Sequence, residues 1–240
     1  MSEPQRLQKV LARMGLASRR VCEEYITESR VKINGTIATL GDKVTDDDLI
    51  EVDGVVYSAK PDVVAYLLNK PAGVVTTADD PEGRKIVTDF VPDDVRVFPV
   101  GRLDMETEGL LLLTNDGDLT HRLTHPSFGI EKEYLAHVKG DPSPKTLRML
   151  REGIELEDGI TSPAKVSCQS GGLLTLVIHE GKNRQVRRMC DAVGHRVERL
   201  VRLRIGPIRD PKLKPGESRK LTQDELLDLQ KAIKSSVVNS

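Results

Sequence analysis

The chain has 240 residues, of which 38% are hydrophobic and 30% charged, a composition typical of an ordinary globular protein. No apolar run reaches the roughly 20 residues that a membrane span needs, and no hydrophobic stretch follows the N-terminus as it would in a secretory signal. The three cysteines, Cys22, Cys168 and Cys190, are widely spaced and indicate neither a disulfide framework nor a zinc knuckle. These features favour the reducing cytoplasm as the location and argue against a membrane protein.

The charge is unevenly distributed, although the net charge is only -1. Residues 5–35 contain seven basic and three acidic side chains, and residues 181–220 contain thirteen basic and four acidic ones. Two basic faces balanced by acidic surfaces are typical of a protein that binds a polyanion such as nucleic acid. Solvated helix faces would give the same pattern, so charge alone leaves both interpretations open.

The N-terminal part of the chain predicts a small ααβ unit. Apolar residues at helical spacing indicate a helix over residues 7–14, and Ser18 is placed to cap a second helix. Asn34-Gly35 and Asp53-Gly54 each separate two short β-forming segments, which predicts two hairpins, the first with a type I′ turn.

The remainder predicts a longer, mostly β domain, joined to the first unit by a linker at residues 58–62. Strands are predicted at residues 63–68, 110–113, 134–138, 166–170 and 173–178. Helices are predicted at residues 118–123, 144–151, 183–193 and 223–232. The last helix begins with a capping box formed by Thr222 and Glu225, and residues after 234 are expected to form a frayed tail.

One segment concentrates residues that could carry chemistry. Asp104, Glu106 and Glu108 lie with Arg102 in a loop that leads directly into a buried strand. Because a rigid strand holds such a loop in place, functional residues are often found there, although a charged surface loop has the same composition.

The predicted helix that follows Gly181 is a second candidate. Its apolar residues form a buried stripe, and Arg184, Arg187 and Arg188 are expected to share the opposite face. Arginines beside the free N–H groups of a helix N-terminus suit the recognition of phosphate or carboxylate groups. A solvated basic face is the alternative interpretation.

Sequence motifs for metals and cofactors are not evident. His121 and His125 have the spacing of a zinc-binding pair, but the sequence offers no third ligand, so we predict no metal site. The chain contains neither a Walker A loop nor a GxGxxG motif, and we predict no nucleotide cofactor. The GxSxG and zinc-deaminase signatures are missing as well.

Four segments form an ordered set along the chain: Lys70 to Val74 (KPAGV), Gly101 to Gly117 (GRLDMETEGLLLLTNDG), Lys132 to Tyr134 (KEY) and Glu180 to Met189 (EGKNRQVRRM). Together they resemble the signatures of the RsuA/RluB-type ribosomal RNA pseudouridine synthases. Residues 5 to about 60 resemble the S4 RNA-binding domain that often precedes the catalytic domain in that family. The last segment is most similar to the RluB branch, which acts on large-subunit ribosomal RNA.

The resemblance implies a fold and an activity. The fold is α+β, with an S4-like domain over residues 1–60 and a pseudouridine synthase domain over residues 61–240, built on a mixed, mainly antiparallel sheet with flanking helices. The implied enzyme is an isomerase that converts a specific uridine, in 23S large-subunit rRNA, to pseudouridine by glycosidic bond cleavage, base rotation and C5–C1′ bond formation. The implied setting is rRNA processing and ribosome biogenesis in the cytoplasm, by a monomer without a cofactor.

The resemblance also assigns site residues by position. Asp104 is the implied catalytic aspartate, Tyr134 the active-site tyrosine and Arg187 the basic residue that pairs with the aspartate. Arg102 is implied to lie near the displaced base, in a basic cleft across the sheet. Further RNA-binding residues are expected on the S4 domain and around the cleft: Arg6, Lys9, Arg13, Arg19, Arg20, Lys70, Arg184 and Arg188.

These residue types suit the reaction. Isomerisation involves no redox change and consumes nothing external, which agrees with the lack of cofactor motifs. The target base is hidden in folded RNA and must be flipped into a pocket. Tyr134 offers a ring face for uracil and a hydroxyl that could help to remove the C5 proton. Asp104 could take the 2′ proton to form a glycal, which is the favoured route, or attack C1′ or C6.

Three other functions stay open at this point. The substrate could be 16S small-subunit rRNA instead. The protein could be a non-catalytic S4-type assembly protein, although such a relative is expected to have lost Asp104, Tyr134 or Arg187, and all three are present. A glycosylase or hydrolase built on the carboxylates of residues 104–108 would release free uracil or leave an abasic site, whereas a synthase leaves the RNA mass unchanged.

Overall fold

The computed structural model describes residues 3–58 and 62–238, with side chains described up to residue 235. The predicted linker lies largely on residues 59–61, outside the described residues. The predicted domain boundary between residues 60 and 61 lies there too and stays a prediction. The chain divides into two compact units: a smaller one of residues up to 65 with residues 93–98 and 114–117, and a larger one of residues 66–92, 99–113 and 118 onwards.

The smaller unit contains the two predicted helices and both predicted hairpins. Its elements are β1 (Gln5–Arg6), α1 (Leu7–Arg13), α2 (Arg19–Thr27), β2 (Val31–Ile33), β3 (Thr36–Ile37), β4 (Lys43–Val44), β5 (Leu49–Val52) and β6 (Val55–Ser58). Strands β3, β2, β5 and β6 form one antiparallel sheet in that order, and β1 pairs with β4.

Local side-chain chemistry explains these elements. The Ser18 hydroxyl accepts a hydrogen bond from the backbone N–H of Val21 at 3.3 Å, which confirms the predicted N-cap of α2. Asn34 and Gly35 have φ angles of 50° and 83°, the two positive values that a type I′ turn requires. The buried faces of the helices and the sheet then form one core, which includes Leu7, Leu11, Cys22, Ile26 and Ile50.

Asn115 links distant segments of the smaller unit. Its side chain is 1% exposed and its carbonyl oxygen accepts from the N–H of Val64 at 2.9 Å. Its amide nitrogen donates to the backbone oxygens of Asp62 at 2.8 Å and Arg13 at 3.3 Å. Three hydrogen bonds to main chain give this residue a structural role.

The larger unit is built on an eight-stranded sheet. Its strands are β7 (Ala65–Lys70), β8 (Phe98–Val100), β9 (Glu108–Thr114), β10 (Lys132–Val138), β13 (Lys165–Gln169), β14 (Leu173–Ile178), β15 (Val197–Ile205) and β16 (Ser218–Lys220). They lie in the order β13-β14-β10-β15-β9-β7-β16, with β8 paired to β9. The pair β15–β9 is parallel and the pairs from β13 to β15 are antiparallel, which confirms a mixed, mainly antiparallel sheet.

Helices and a small hairpin complete the larger unit. The helices are α3 (Gly117–Thr124), α4 (Pro144–Glu152), α5 (Gln185–Ala192) and α6 (Gln223–Val238), and the hairpin pairs β11 (Glu155–Leu156) with β12 (Gly159–Ile160). The 3-10 turn Val87–Phe90 lies between β7 and β8, and the 3-10 turn Pro126–Phe128 lies between α3 and β10. No helix in the described part of the chain is long and apolar enough to cross a membrane.

Two helix boundaries differ from those predicted by two residues or more. α5 begins at Gln185 rather than at residue 183, because Arg184 has left-handed backbone angles of φ 47° and ψ 31°. α6 continues to Val238, so the prediction of a frayed tail after residue 234 is wrong over residues 235–238. The predicted capping box of α6 is confirmed: the N–H of Thr222 donates to Glu225 at 2.9 Å, and the N–H of Glu225 donates to Thr222 at 3.2 Å.

Candidate active site

A cavity of about 420 Å³ lies in the larger unit, within the roughly 300–1,000 Å³ that small-molecule sites occupy. The loop before β9, the strands β10 and β15 and the segment before α5 form its walls. It brings together several of the side chains singled out from the sequence, namely Arg102, Asp104, Tyr134 and Arg184. It also contains two cations for which the sequence suggested no role, Lys132 and Arg202.

The loop that carries Asp104 is braced by neighbouring backbone and side chains. The Thr76 hydroxyl donates to the carbonyl of Leu103 at 2.6 Å and accepts from its N–H at 3.3 Å. The N–H of Gly73 donates to the carbonyl of Met105 at 2.8 Å. Because the residues on both sides of Asp104 are held, its carboxylate is pre-positioned at the cavity wall.

Lys70 lies inside this loop and not on an RNA-facing surface. The side chain is 0% exposed, and its ammonium donates to the carbonyls of Pro71 at 2.9 Å, Met105 at 3.2 Å and Thr107 at 2.8 Å. Burial lowers the pKa of Lys70 to about 8, and the nearby Asp104 carboxylate limits that fall. The prediction that Lys70 contacts RNA is therefore wrong, because no part of the side chain is accessible.

Arg184 is the arginine nearest to the Asp104 carboxylate. One terminal nitrogen of Arg184 lies 3.7 Å from an oxygen of Asp104 and 3.4 Å from an oxygen of Glu106. All three side chains are at least partly exposed, with 29% of the Asp104 side chain accessible. The left-handed backbone of Arg184 turns the chain just before α5 and places the guanidinium at the cavity.

Arg187, which was expected to pair with Asp104, is buried instead on the inner side of α5. Its guanidinium donates to the carbonyl of Val197 and to the hydroxyl of Thr107, both at 3.3 Å, and its Nε has no partner among the described residues. The predicted pairing of Arg187 with Asp104 is therefore wrong in this structure. The expectation that Arg187 lies on the solvent-facing side of the helix is wrong as well. The helix starts two residues later than predicted, and Arg187 falls on its buried side.

Arg188 and most of the other arginines in residues 181–220 are held by acids. Arg188 donates through both terminal nitrogens to Asp158 at 2.9 Å and through Nε to the carbonyl of Asn183 at 2.7 Å. The other ion pairs are Arg199–Glu108, Arg204–Glu131, Arg204–Glu133, Arg209–Glu133, Arg219–Asp210 and Arg219–Glu225. Most arginines of the second basic cluster are thus paired with acids, which come from other segments except for Asp210.

A β-bulge brings Arg202 to the cavity. The register of β10 against β15 pairs Glu133 with Arg204 and Tyr134 with Arg202, so Leu203 is an extra residue on β15. Without the bulge, Arg202 and Arg204 would project from the same side of the strand. With it, Arg204 pairs with Glu133, while Arg202 lines the cavity beside Tyr134. The simple alternation of side chains along a strand could not have predicted that Arg202 lines the cavity while Arg204 pairs with Glu133.

Gly109 permits the close strand contact at this point. It pairs with Arg202 across the parallel β9–β15 ladder, and it has a φ angle of 108°. A Cβ atom at position 109 would overlap the backbone of Arg202. A glycine is therefore required where the strand that follows Asp104 meets the strand that carries Arg202.

The remaining predicted residues lie apart from the cavity wall or at its rim. In the smaller unit Arg6, Arg19 and Arg20 are exposed, and Lys9 and Arg13 are half-buried. Their RNA-binding role stays a prediction.

The rings of His121, His125 and Phe128 pack together, with centroids 5.1–6.3 Å apart. Among residues 3–58 and 62–238, no group of three or more His, Cys, Asp or Glu side chains could hold a metal.

Comparison with known proteins identifies both units. Residues 64–192 match the family model described as RNA pseudouridylate synthase, and residues 5–50 match the S4 domain. The chain is 47% identical to the ribosomal large subunit pseudouridine synthase B of Bacillus subtilis (strain 168), over 94% of this chain and 96% of that protein. It is 39% identical to the dual-specificity RNA pseudouridine synthase RluF of Escherichia coli (strain K12), over 96% of this chain and 80% of that protein. A crystal structure of a pseudouridylate synthase is similar at a TM-score of 0.69 and 34% identity, over 93% of this chain and 99% of the other.

Proposed function

We propose that the substrate of this chain is a uridine of large-subunit ribosomal RNA. The proposal starts from the fact that the chain belongs to the RNA pseudouridylate synthase family and is a pseudouridine synthase. The observation that supports the activity is that one cavity is lined by both Asp104 and Tyr134. The support for the substrate is the name of the Bacillus subtilis relative. The S4 domain supplies RNA affinity through its exposed arginines.

In the proposed mechanism, Asp104 is the catalytic carboxylate. The flipped uridine enters the cavity with its ribose against Asp104, which takes the 2′ proton as the bond between N1 and C1′ breaks. Arg184 neutralises the carboxylate loosely at 3.7 Å, so Asp104 stays free to accept the proton. Tyr134 lies under the base, and its hydroxyl assists the loss of the C5 proton after C5 joins C1′.

The dual-specificity relative provides a reason to consider a second substrate. A small-subunit rRNA, or another RNA with a similar fold around the uridine, would be accepted if shape rather than sequence sets the register on the S4 domain. Ribosome biogenesis, the cytoplasmic location and the monomeric state stay predictions.

The test uses large- and small-subunit rRNA labelled with tritium at C5 of uridine. We expect wild-type protein to release tritium from large-subunit rRNA while the RNA mass otherwise stays unchanged. Asp104→Asn should abolish release. Glu106→Gln is the matched control, since it removes a carboxylate that lies 3.4 Å from the same Arg184, and it should keep most of the activity.

Other outcomes would contradict the proposal. Release of free uracil or an abasic product would indicate a glycosylase. Loss of activity in Glu106→Gln with full activity in Asp104→Asn would move the chemistry to a different carboxylate. No release from either RNA or from assembly intermediates would favour a non-catalytic RNA-binding protein.

A further inference from the structure

Lys132 and Arg202 line the cavity, and neither has an acidic partner in the part of the chain that the structure describes. No acceptor in the described parts of the chain binds the Lys132 ammonium. Arg202 is 5% exposed, donates through Nε to the carbonyl of Leu110 at 2.7 Å, and has a buried terminal nitrogen without a partner among the described residues. Buried polar groups are normally paired, so the terminal nitrogen of Arg202 indicates an acceptor supplied from outside the protein, and the partly exposed Lys132 ammonium lines the same cavity.

The acids of the cavity are already occupied. Asp104 faces Arg184. Glu180 accepts from the side-chain amide of Gln185 and from the backbone N–H of Ser162 at 2.9 Å. The positive charge of Lys132 and Arg202 is therefore in excess where a substrate binds.

We propose that Lys132 and Arg202 form a two-cation subsite that binds the carbonyl oxygens of the target base and stabilises the negative charge that the base acquires when it leaves the ribose. This inference rests on the proposed function and assigns a role to two residues outside Asp104, Tyr134 and Arg184. The β-bulge at Leu203 is the structural device that places Arg202 beside Tyr134 for this purpose.

The chemistry of the isomerisation creates such a charge. When the N1–C1′ bond breaks, its electron pair leaves with the base, and the resulting uracil anion spreads the charge over N1, O2 and O4. The 2′ proton passes to Asp104 and returns to C2′ when C5 attacks C1′. C5 then loses its proton to solvent, N1 gains one, and the product has the same atoms as the substrate. Cations aimed at O2 or O4 are most stabilising while the base is free and anionic.

The position of the subsite favours the base over a phosphate group. A flipped base is the part of the nucleotide that enters a pocket, and Arg202 lies deep enough to be nearly fully buried. Phosphates stay near the rim, where Arg102 and Arg184 are exposed. Burial beside Arg202 lowers the pKa of Lys132 to about 8, a cost to the free protein that an incoming anion offsets.

The experiment compares Lys132→Met, which keeps the apolar stem, with Lys132→Arg, which keeps the charge. Single-turnover tritium release at saturating rRNA reports the chemical step, and dissociation constants at several salt concentrations report phosphate contacts. We expect Lys132→Met to slow release by about 100-fold or more, as for the loss of one charge-stabilising donor. Binding and its salt dependence should stay unchanged, and Lys132→Arg should recover at least a tenth of the wild-type rate.

Chemical rescue provides an independent readout. Added propylammonium should restore release in Lys132→Ala, whereas tetramethylammonium, which cannot donate a hydrogen bond, should not. Lys145→Ala, at an exposed position on α4 that does not line the cavity, is the control and should behave as wild type.

Each other result would overturn the subsite. An unchanged single-turnover rate in Lys132→Met would remove its role in the reaction. Weaker binding with a salt slope reduced by about 0.7–0.9 would indicate a phosphate contact instead. Failure of Lys132→Arg and of propylammonium together would indicate a structural role. If the wild type itself released no tritium from any rRNA, the proposed function would fail first and the subsite with it.

Discussion

Lys70 and Arg187 carry their charges inside the protein, where neutral oxygen atoms hold them rather than carboxylates. Lys70 bonds to three backbone carbonyls, and Arg187 bonds to the carbonyl of Val197 and the hydroxyl of Thr107. Both cations contact Thr107, three residues after Asp104. We infer that their role is to fix the loop, while Arg184 at the surface is the residue that meets the carboxylate.

The two arginines of this region are expected to respond differently to the same substitution. Arg187→Met removes two buried hydrogen bonds and should lower the free energy of unfolding by about 1–3 kcal/mol. Arg184→Met removes a partly exposed ion pair and should change it by less than about 1 kcal/mol. Urea unfolding of both variants measures the difference. Equal losses would contradict the assignment of Arg187 to the fold and Arg184 to the site.

Lys70 should make stability depend on pH. Its pKa is about 8 in the folded chain against 10.5 for an unperturbed lysine. Between these values the unfolded chain binds more protons, so the free energy of unfolding rises as the pH increases from about 8 to 10.5. The comparison is wild type minus Lys70→Met, because other titrating groups cancel. We expect this difference to grow by on the order of 1–3 kcal/mol over that range. A constant difference would show that burial does not lower the pKa of Lys70 in the folded chain.

At the scale of elements, the contact between β9 and β15 is the one that the site depends on. β9 begins directly after the Asp104 loop, and β15 carries Arg202. Their parallel pairing at Gly109 sets the distance between the two cavity walls. Any side chain at this glycine must push the strands apart, since the overlap is with backbone.

Gly109→Ala is therefore expected to be severe. We expect it to lower the free energy of unfolding by about 2–4 kcal/mol, from backbone strain and overlap combined. Gly171→Ala is the matched control: Gly171 also has a positive φ angle, 81°, but nothing lies within 4 Å of an added Cβ. It should cost only about 1–2 kcal/mol. Similar losses in the two variants would mean that strain alone, not strand proximity, explains Gly109.

Elements with local signals could be predicted, and elements with long-range causes could not. The Ser18 cap, the Asn34-Gly35 turn and the Thr222 capping box each depend on residues a few positions apart, and all three are confirmed. β15 was missed, since its place between β10 and β9 is set by pairing with distant strands. Asp104 and Tyr134 were predicted, and the structure brings them to one cavity.

The cations of the site were harder to predict for the same reason. Whether Lys70, Arg184 or Arg187 is buried depends on which carbonyls and acids surround it, and these come from other parts of the chain. The sequence shows where the charges are but not which of them find a partner.

At the scale of the whole molecule, free positive charge is more limited than the sequence indicates. Acids from other segments pair with most arginines after residue 181. The smaller unit keeps three exposed arginines, Arg6, Arg19 and Arg20, beside its two helices. Affinity for RNA is therefore expected to depend chiefly on this unit, while the cavity supplies the chemistry.

Neutralising these three arginines should weaken RNA binding without slowing the reaction. In the triple variant Arg6→Gln, Arg19→Gln, Arg20→Gln, we expect the salt slope of log Kd to fall by up to about 2–3, at about 0.7–0.9 per phosphate contact. The single-turnover rate at saturating rRNA should stay within about twofold of wild type. The control carries the same charge change on α4 and α6, at Lys145, Arg148 and Lys231. Equal slopes for the two triple variants would place the RNA-binding surface elsewhere.

The parallel pairing of β9 with β15 also has a consequence for synthesis of the protein. The strand after the Asp104 loop begins at residue 108, yet its partner ends only at residue 205, so the cavity cannot close until late in translation. The main core of the smaller unit comes from residues 7–52 and can form while the rest of the chain is still being made. A nascent chain would therefore bind RNA before it could modify it, and a prematurely terminated chain would bind RNA without modifying it. Full-length chains should gain activity in a slow, final folding phase.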